Sequence, residues 1–290
     1  KNQLIKSGHL YPCYETPEEL EVKRKSRINR KLPPIYNRSA LELSEEKIKS
    51  YEAEGRNPHY RFKIIDKTIK WNDLIKGEVM YEGKYLSDPV LIRGDGSFTY
   101  MLCSTIDDID YHISHIIRGD DHISNTAIQI QLFEVLGSQI PSFGHMGLVK
   151  TKDSKISKRK GGFEIEYLRD EEGLEAITIN NFFSRVGSAL NISSYTSLRE
   201  IIDNFDISNL SKNSTIFDIS DLYHLNEKIL HQLDYQSVKA RLFEICGKEV
   251  PEEFWLACRA NLKKLADIKL WWDICYDVKN NTNNDPDYMK

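Results

Sequence analysis

The feature that most constrains the fold is a strand–helix–strand alternation near the middle of the chain. The segment 111–117 has the β-branched character of a buried strand. Ser124 predicts the start of a helix over 125–136, and Gly137 predicts its end. A second strand is predicted over 145–149. This pattern is typical of an α/β fold.

Polar and charged residues follow both predicted strands. The run 118–122 comes after the first strand, and the lysine-rich segment 150–162 comes after the second. Because an open α/β sheet offers its ligand the loops that follow the strands, these two segments predict a binding edge.

The regions on either side of this alternation differ from it in their predicted secondary structure. Thr16 and Pro17 predict the start of a helix over 15–31, which runs from acidic to basic. A second helix is predicted over 44–54, and short strand-like runs with turns fill 60–100. After residue 174 the chain is predicted to be mostly helical. A core-facing stripe is formed there by Leu262, Leu265, Ile268 and Trp272.

Composition bounds the class of protein. The chain has 290 residues, 40% of them hydrophobic and 29% charged, which suits a water-soluble protein of two or three domains. No apolar run has membrane-spanning or signal-peptide length. The five cysteines contain no C-x-x-C pair, which indicates reduced thiols and a cytoplasmic location. The net charge of -4 neither requires nor excludes a nucleic-acid partner.

The sharpest chemical signal is a basic loop that consists of Lys155, Ile156, Ser157, Lys158 and Arg159. Two lysines that flank a serine after a strand end suit a polyphosphate, because lysine is a compact positive charge for phosphate oxygens. A basic loop alone is weak evidence for phosphate binding, so the segments around it in the sequence decide whether this interpretation holds.

That loop resembles the Lys-Met-Ser-Lys-Ser signature of class I aminoacyl-tRNA synthetases, in the form that glutamyl enzymes use. Residues 118–126 resemble the family's Arg-Gly-Glu-Asp-His-Leu-x-Asn-Thr segment, and residues 95–100 resemble its Asp-Gly-x-Pro-Thr-Tyr segment. Residues 179–187 resemble a helix that begins the stem-contact domain, and residues 8–20 resemble the entry into the acceptor-binding insertion. On these ordered matches the chain is identified as a member of the bacterial-type glutamyl-tRNA synthetases.

The resemblance implies an α/β fold with a Rossmann-type catalytic half. It places the α+β acceptor-binding insertion at 1–98 and the second half of the catalytic domain at 99–152. The basic loop and a helical stem-contact domain follow at 153–235, and the start of a helical anticodon-binding domain at 236–290. The family's His-Ile-Gly-His-type motif does not occur in this sequence. We therefore expect segments missing at both ends, and a chain that is inactive alone.

The implied reaction joins glutamate to the 3′ end of tRNA-Glu through a glutamyl-adenylate made from ATP, with Mg²⁺ accompanying the nucleotide. Lys158 is then the phosphate-contacting lysine, with Lys155 in support. Tyr100 and Arg118 match positions that line the glutamate pocket, and an arginine can pair with a carboxylate. Ser104 and His122 fall at neighbouring positions, although many relatives have asparagine in place of Ser104. We expect a cytoplasmic monomer without a membrane partner.

Other functions are also compatible with parts of the sequence. A metallohydrolase is suggested by the acidic and histidine cluster Asp107, Asp108, Asp110, His112, His115, Asp120, Asp121 and His122, whose spacing matches no known ligand pattern. A non-catalytic RNA-binding module, or tRNA contact by the insertion, is suggested by Lys23, Arg24, Arg27 and Arg30, although for a charge run alone a solvated helix face is the preferred explanation. Glutaminyl-tRNA synthetase and a truncated paralogue that glutamylates a tRNA base are disfavoured by the helical C-terminal part. Cys13 is followed by Glu15 rather than a second cysteine, so we predict no zinc.

Overall fold

The structure is a computed structural model that describes residues 1–151, 164–185, 188 and 193–276. It divides into two compact units, Lys1–Met146 and Gly147–Lys290. None of the described helices is long and apolar enough to cross a lipid bilayer.

The first unit mixes helices and strands. Its helices are α1 (Asn2–Lys6), α2 (Pro17–Asn29), α3 (Glu45–Ala53), α4 (Tyr100–Asp110) and α5 (Ile123–Leu136). Its strands are β1 (Leu10–Cys13), β2 (His59–Phe62), β3 (Thr68–Asp73), β4 (Gly77–Glu82), β5 (Val90–Ile92), β6 (His115–Gly119) and β7 (Ser142–Met146). Strand β2 lies between β1 and β5 in an antiparallel sheet, β3 and β4 form a hairpin, and β6 and β7 are parallel.

The parallel pair β6–β7 with its crossover helix α5 confirms the predicted strand–helix–strand alternation. Gly137 ends α5 in the left-handed conformation, with φ of 72°, which an L side chain rarely adopts. Much of α5 is buried, and its Ile128, Leu132 and Phe133 enter the core of the unit. The α/β, Rossmann-type character of the chain therefore rests on this element.

The first predicted strand was placed wrongly. The strand begins at His115 rather than at 111, because α4 extends to Asp110 and a turn with His112 at φ of 53° follows it. Leu102, Thr105, Ile106 and Ile109 recur at helical spacing and face the core, which favours the helix.

The second predicted strand, 145–149, is divided between two elements. Strand β7 ends at Met146, and a separate strand, β8, begins at Val149. Gly147 lies between them, and a Cβ atom there would be 2.0 Å from the carbonyl oxygen of Asn213. A continuous strand with a side chain at this position would collide with that backbone.

The predicted division at residue 98 crosses a shared core. Leu10, Phe62 and Leu91 from one side pack with Leu102 and Leu132 from the other in one hydrophobic cluster. The four-part division of the chain remains a prediction. The packing shows that Lys1–Met146 forms one compact unit.

The second unit is mostly helical, as predicted. Its strands are β8 (Val149–Thr151) and β9 (Thr215–Phe217), which are parallel. Its helices are α6 (Ile165–Asp170), α7 (Ala176–Arg185), α8 (Leu198–Asp203), α9 (Ile219–Leu230), α10 (Tyr235–Cys246), α11 (Glu252–Cys258) and α12 (Ile268–Tyr276). The predicted core stripe is confirmed: Leu262, Leu265, Ile268 and Trp272 are all buried in one cluster with Trp255.

Candidate active site

The parallel strands β6 and β7 end side by side, at the edge that the sequence predicted as a binding edge. Arg118 lies opposite His145 in the register of the pair. Asp120, Asp121 and His122 form a short 3-10 turn directly after β6 and lead into α5. Arg118 therefore lies at the carboxyl end of a parallel strand, where open α/β sheets bind their ligands.

Arg118 is held by hydrogen bonds on three sides. Its Nη2 donates to Thr126 Oγ1 and, at 2.5 Å, to Gln129 Oε1, both on α5. Its Nε lies 3.5 Å from His145 Nε2, at the outer limit for a hydrogen bond. None of these three contacts uses Nη1, while Tyr100 is a further side-chain hydrogen-bond partner of the guanidinium. The guanidinium N–H groups that remain suit the recognition of a carboxylate.

Tyr100 and Ser104 lie one helical turn apart on α4, on the same face of the helix. The ring of Tyr100 makes an edge contact with His122 at a centroid distance of 6.4 Å. Gln129 Nε2 donates to Ser104 Oγ at 3.1 Å, and Gln129 also accepts from Arg118. The structure thus brings together all of the residues predicted for the glutamate pocket, whose roles remain proposals.

The charge of Arg118 is poorly solvated. Burial lowers the pKa of its guanidinium, while Tyr100, Asp108 and Asp121 nearby act in the opposite direction. An arginine stays protonated at physiological pH in either case. A partly buried cation without an ion pair among the described residues favours the binding of an anion.

The sequence did not point to Asp73 or His145, which complete the surroundings of Arg118. His145 is fully buried, and its Nδ1 lies 2.5 Å from Asp73 Oδ2. Asp73 is 72 residues away along the chain, at the end of β3, so no local spacing connects the two. The predicted ATP loop with Lys155, Ile156, Ser157, Lys158 and Arg159 lies outside the described residues.

The family model of class I tRNA synthetases (E and Q), catalytic domain, matches residues 1–224. The chain belongs to this family. Glutamate–tRNA ligase 1 of Rickettsia typhi and that of Rickettsia prowazekii are each 56% identical to this synthetase chain over 292 aligned positions. The alignments cover all of this chain and 65% of each relative, so the chain spans 65% of their length.

The fold is also found in solved synthetase structures. A glutamate tRNA ligase from Elizabethkingia meningosepticum, crystallised in complex with its amino acid, superposes with a TM-score of 0.75 at 26% identity. The superposition covers 92% of this chain and 60% of that protein. A glutamate-tRNA synthetase from Elizabethkingia anophelis gives a TM-score of 0.73, also at 26% identity.

A basic groove of about 490 Å³ runs along α2 of the synthetase chain. Cations along it are Lys23, Arg24, Arg27, Arg30 and Arg61. Lys23 is paired with Glu15 at 2.9 Å and Arg24 with Glu21 at 2.7 Å, whereas Arg27 Nε donates to the neutral carbonyl of Pro33. Within the described residues no ion pair includes Arg27, Arg30 or Arg61, so among the groove cations contributed by α2 and its end Arg27 and Arg30 have the least compensated charge.

One group of side chains could hold a metal ion. Cys13, Glu15 and His59 each offer a ligand atom, and these atoms lie within 4.8 Å of one another, because Cys13 pairs with His59 across β1 and β2. Burial raises the pKa of the Cys13 thiol to about 12, and burial and the charge of Arg61 lower that of His59. A cation would meet Arg61 and Lys23 as positive neighbours, so the absence of zinc stays our prediction.

The geometry of the described residues does not support the metallohydrolase hypothesis. Asp107, Asp108 and Asp110 lie on α4. Within the described ranges, no three of the acidic and histidine side chains in that cluster bring ligand atoms within 4.8 Å of one another.

Proposed function

We propose that this chain is part of a glutamate–tRNA ligase and carries the second half of its catalytic domain. In this reaction glutamate attacks the α-phosphate of ATP to give glutamyl-adenylate and pyrophosphate, and the glutamyl group then passes to the terminal ribose of tRNA-Glu. The relatives that carry this name support the assignment of amino acid and tRNA.

The observation that carries the proposal is the partly buried, oriented Arg118 at the carboxyl edge of β6 and β7. Its remaining guanidinium N–H groups are directed to a carboxylate of glutamate, and charge-assisted hydrogen bonds of this kind are about twice as strong as neutral ones. Tyr100 and His122 would enclose the same amino acid, with Ser104 reached through Gln129.

ATP is proposed to bind beside this pocket, with its phosphates contacted by Lys158 and the loop supported by Lys155, Ile156, Ser157 and Arg159. A lysine there stabilises negative charge that develops on the phosphate oxygens as pyrophosphate leaves. Mg²⁺ bound to the nucleotide would supply further charge neutralisation. The assignment of these roles rests on the motif alone.

The test is incorporation of radiolabelled glutamate into tRNA by the full-length protein, with Lys158→Ala compared with the wild type. We expect ATP-dependent charging of tRNA-Glu that falls by at least about a hundredfold in the variant, because the loss of a charge that stabilises the transition state lowers kcat. The matched control is Lys152→Ala, which removes a lysine just before the motif and should leave charging within about twofold of the wild type.

Two outcomes would count against this proposal. Failure of the wild type to glutamylate any tRNA would overturn the function. Equal activity of Lys158→Ala and the wild type would retain the function and reject the role of the loop. The same assay with tRNA-Gln as acceptor determines whether the enzyme is restricted to tRNA-Glu.

We also propose that the protein is a cytoplasmic monomer that contains no zinc. Sedimentation of the purified protein tests the oligomeric state, and elemental analysis tests the metal content. One equivalent of zinc that disappears in Cys13→Ser would identify the group formed by Cys13, Glu15 and His59 as a metal site and overturn our prediction.

A further inference from the structure

A buried hydrogen-bonded path leads from Asp73 to Arg118. Asp73 is 2% exposed and His145 is fully buried. Asp73 Oδ1 accepts from the backbone N–H groups of Ile75, Lys76 and His145 at 3.0–3.1 Å. Its Oδ2 accepts from His145 Nδ1 at 2.5 Å and from Trp71 Nε1 at 3.2 Å. Both oxygens of Asp73 are therefore engaged by donors, and the carboxylate has a fixed orientation.

The acceptor role of Asp73 decides the tautomer of His145. Because an ionised carboxylate only accepts hydrogen bonds, the proton of the imidazole must lie on Nδ1. Nε2 then carries a lone pair and accepts from the hydroxyl of Thr126, whose Oγ1 is 2.9 Å away. Thr126 Oγ1 accepts a hydrogen bond from Arg118 Nη2. Its single proton has two acceptors in reach, His145 Nε2 at 2.9 Å and the carbonyl oxygen of His122 at 3.3 Å, and we assign it to the nearer one, His145. The donors and acceptors run in one direction along the whole path.

Burial favours the neutral form of His145. Burial lowers the pKa of His145, and the positive charges of Arg118 and Lys76 add to this effect, while Asp73 opposes it. Lys76 is itself paired with Asp120 at 2.9 Å, on the turn that follows β6. A hydrogen on Nε2 would face the N–H of Arg118 and the hydroxyl of Thr126, so the path would lose an acceptor.

We propose that Asp73 and His145 are positioning residues for amino-acid binding, which hold Arg118 through Thr126 by fixing the His145 tautomer with its proton on Nδ1. This inference rests on the proposed function, since it assigns the carboxylate of glutamate to Arg118. Partners that orient a binding group are part of the site although they do not touch the ligand.

The test is the dependence of aminoacylation on glutamate concentration for Asp73→Asn in the full-length protein. The asparagine oxygen stays with the three backbone N–H groups, so its NH₂ group faces His145 and moves the imidazole proton to Nε2. We expect KM for glutamate to rise by at least about tenfold with a smaller change in kcat, because the misplaced Arg118 weakens ground-state binding. KM for ATP should stay within about twofold of the wild type.

Matched variants separate positioning from folding. Trp71→Phe removes the other donor to Asp73 Oδ2 but leaves the His145 tautomer unchanged, so glutamate KM should not change. Thr126→Val removes the hydroxyl from the path at nearly constant volume and should reproduce the effect of Asp73→Asn, whereas Thr126→Ser keeps a hydroxyl and should restore the wild-type KM.

The outcomes distinguish the two levels of inference. If the wild type charges tRNA and both Asp73→Asn and Thr126→Val bind glutamate as the wild type does, the positioning role is wrong and the proposed function stands. An equal rise in KM for glutamate and ATP would also overturn the positioning role, because it would show general damage. A wild type that charges no tRNA with glutamate overturns the proposed function and this inference with it.

Discussion

At the scale of single residues, Glu15 shows how hydrogen bonds can outweigh burial. Its side chain is only 9% exposed, and burial alone would raise its pKa. Hydrogen bonds to Oε1 from Tyr36 at 2.7 Å and from Lys23 and Ser39 at 2.9 Å outweigh burial and lower the pKa to about 2. The folded state therefore strongly prefers the ionised carboxylate.

This preference predicts a pH-dependent stability. The folded pKa lies below the unfolded value, so Glu15 contributes stability above pH of about 4.5, and this contribution is lost as the pH falls towards about 2. We expect Glu15→Gln to lower the free energy of unfolding by on the order of 3 kcal/mol at pH 6. By pH 3 the difference should shrink to less than half. Urea unfolding of both proteins at the two pH values measures it.

An exposed glutamate provides the control. Glu42→Gln, at an exposed position, should give a difference near zero at both pH values. A difference between Glu15→Gln and the wild type that does not change between pH 6 and pH 3 would contradict the ionic role of Glu15 and indicate a packing effect.

At the scale of elements, helix α2 was predicted well because its signals are local. Thr16 and Glu19 form a reciprocal capping box, and Pro17 occupies the first turn. What the sequence could not show is how the charges of the helix are compensated. Lys23 is paired with Glu15, which lies eight positions earlier, before the helix begins. The helical period of α2 alone does not predict this pair.

The groove along α2 predicts which cations contact tRNA. Since Arg27 and Arg30 lack ion pairs within the described part of the chain, we expect Arg27→Ala and Arg30→Ala each to weaken tRNA binding several-fold. Each substitution should also reduce the slope of log Kd against log salt concentration by about 1, because one phosphate contact is lost. Fluorescence anisotropy with labelled tRNA at several KCl concentrations measures both effects.

Lys25→Ala is the matched control for charge on the same helix. Lys25 interacts with Glu21 and does not line the groove, so its loss should change neither affinity nor salt slope appreciably. Equal weakening by all three substitutions would mean that α2 contributes only a diffuse positive field. No weakening by any of them would show that α2 is a solvated helix face.

Residues of the site could be predicted where the signal lies within one segment of the sequence. They could not be predicted where a contact joins segments that are distant along the chain. Arg118 and Tyr100 could be predicted because their segments, 118–126 and 95–100, resemble ordered family motifs, and α5 was found from its Gly137 stop. The strand predicted over 111–117 was placed too early, because a turn with His112 at positive φ follows α4 and the strand begins only at His115. His145 and its partner in β3 come together through strand packing, which no sequence window contains.

At the scale of the whole molecule, each hydrophobic cluster among the described residues is made of residues from one unit. The largest cluster of the second unit spans Leu168 to Trp272, and the clusters of the first unit span Leu4 to Phe143. Since a buried side chain stabilises mainly the cluster that surrounds it, core substitutions should have local consequences within the unit that contains them.

Trp255 provides the test of this division. It is fully buried, its Nε1 donates to the carbonyl of Leu233, and its loss leaves a large cavity. We expect Trp255→Ala to cost about 3–5 kcal/mol, measured as faster amide hydrogen exchange by mass spectrometry in peptides of the second unit. Peptides of the first unit should exchange at the wild-type rate, and Phe62→Ala should give the reverse pattern. Faster exchange throughout the chain in either variant would mean that the two units unfold as one cooperative body.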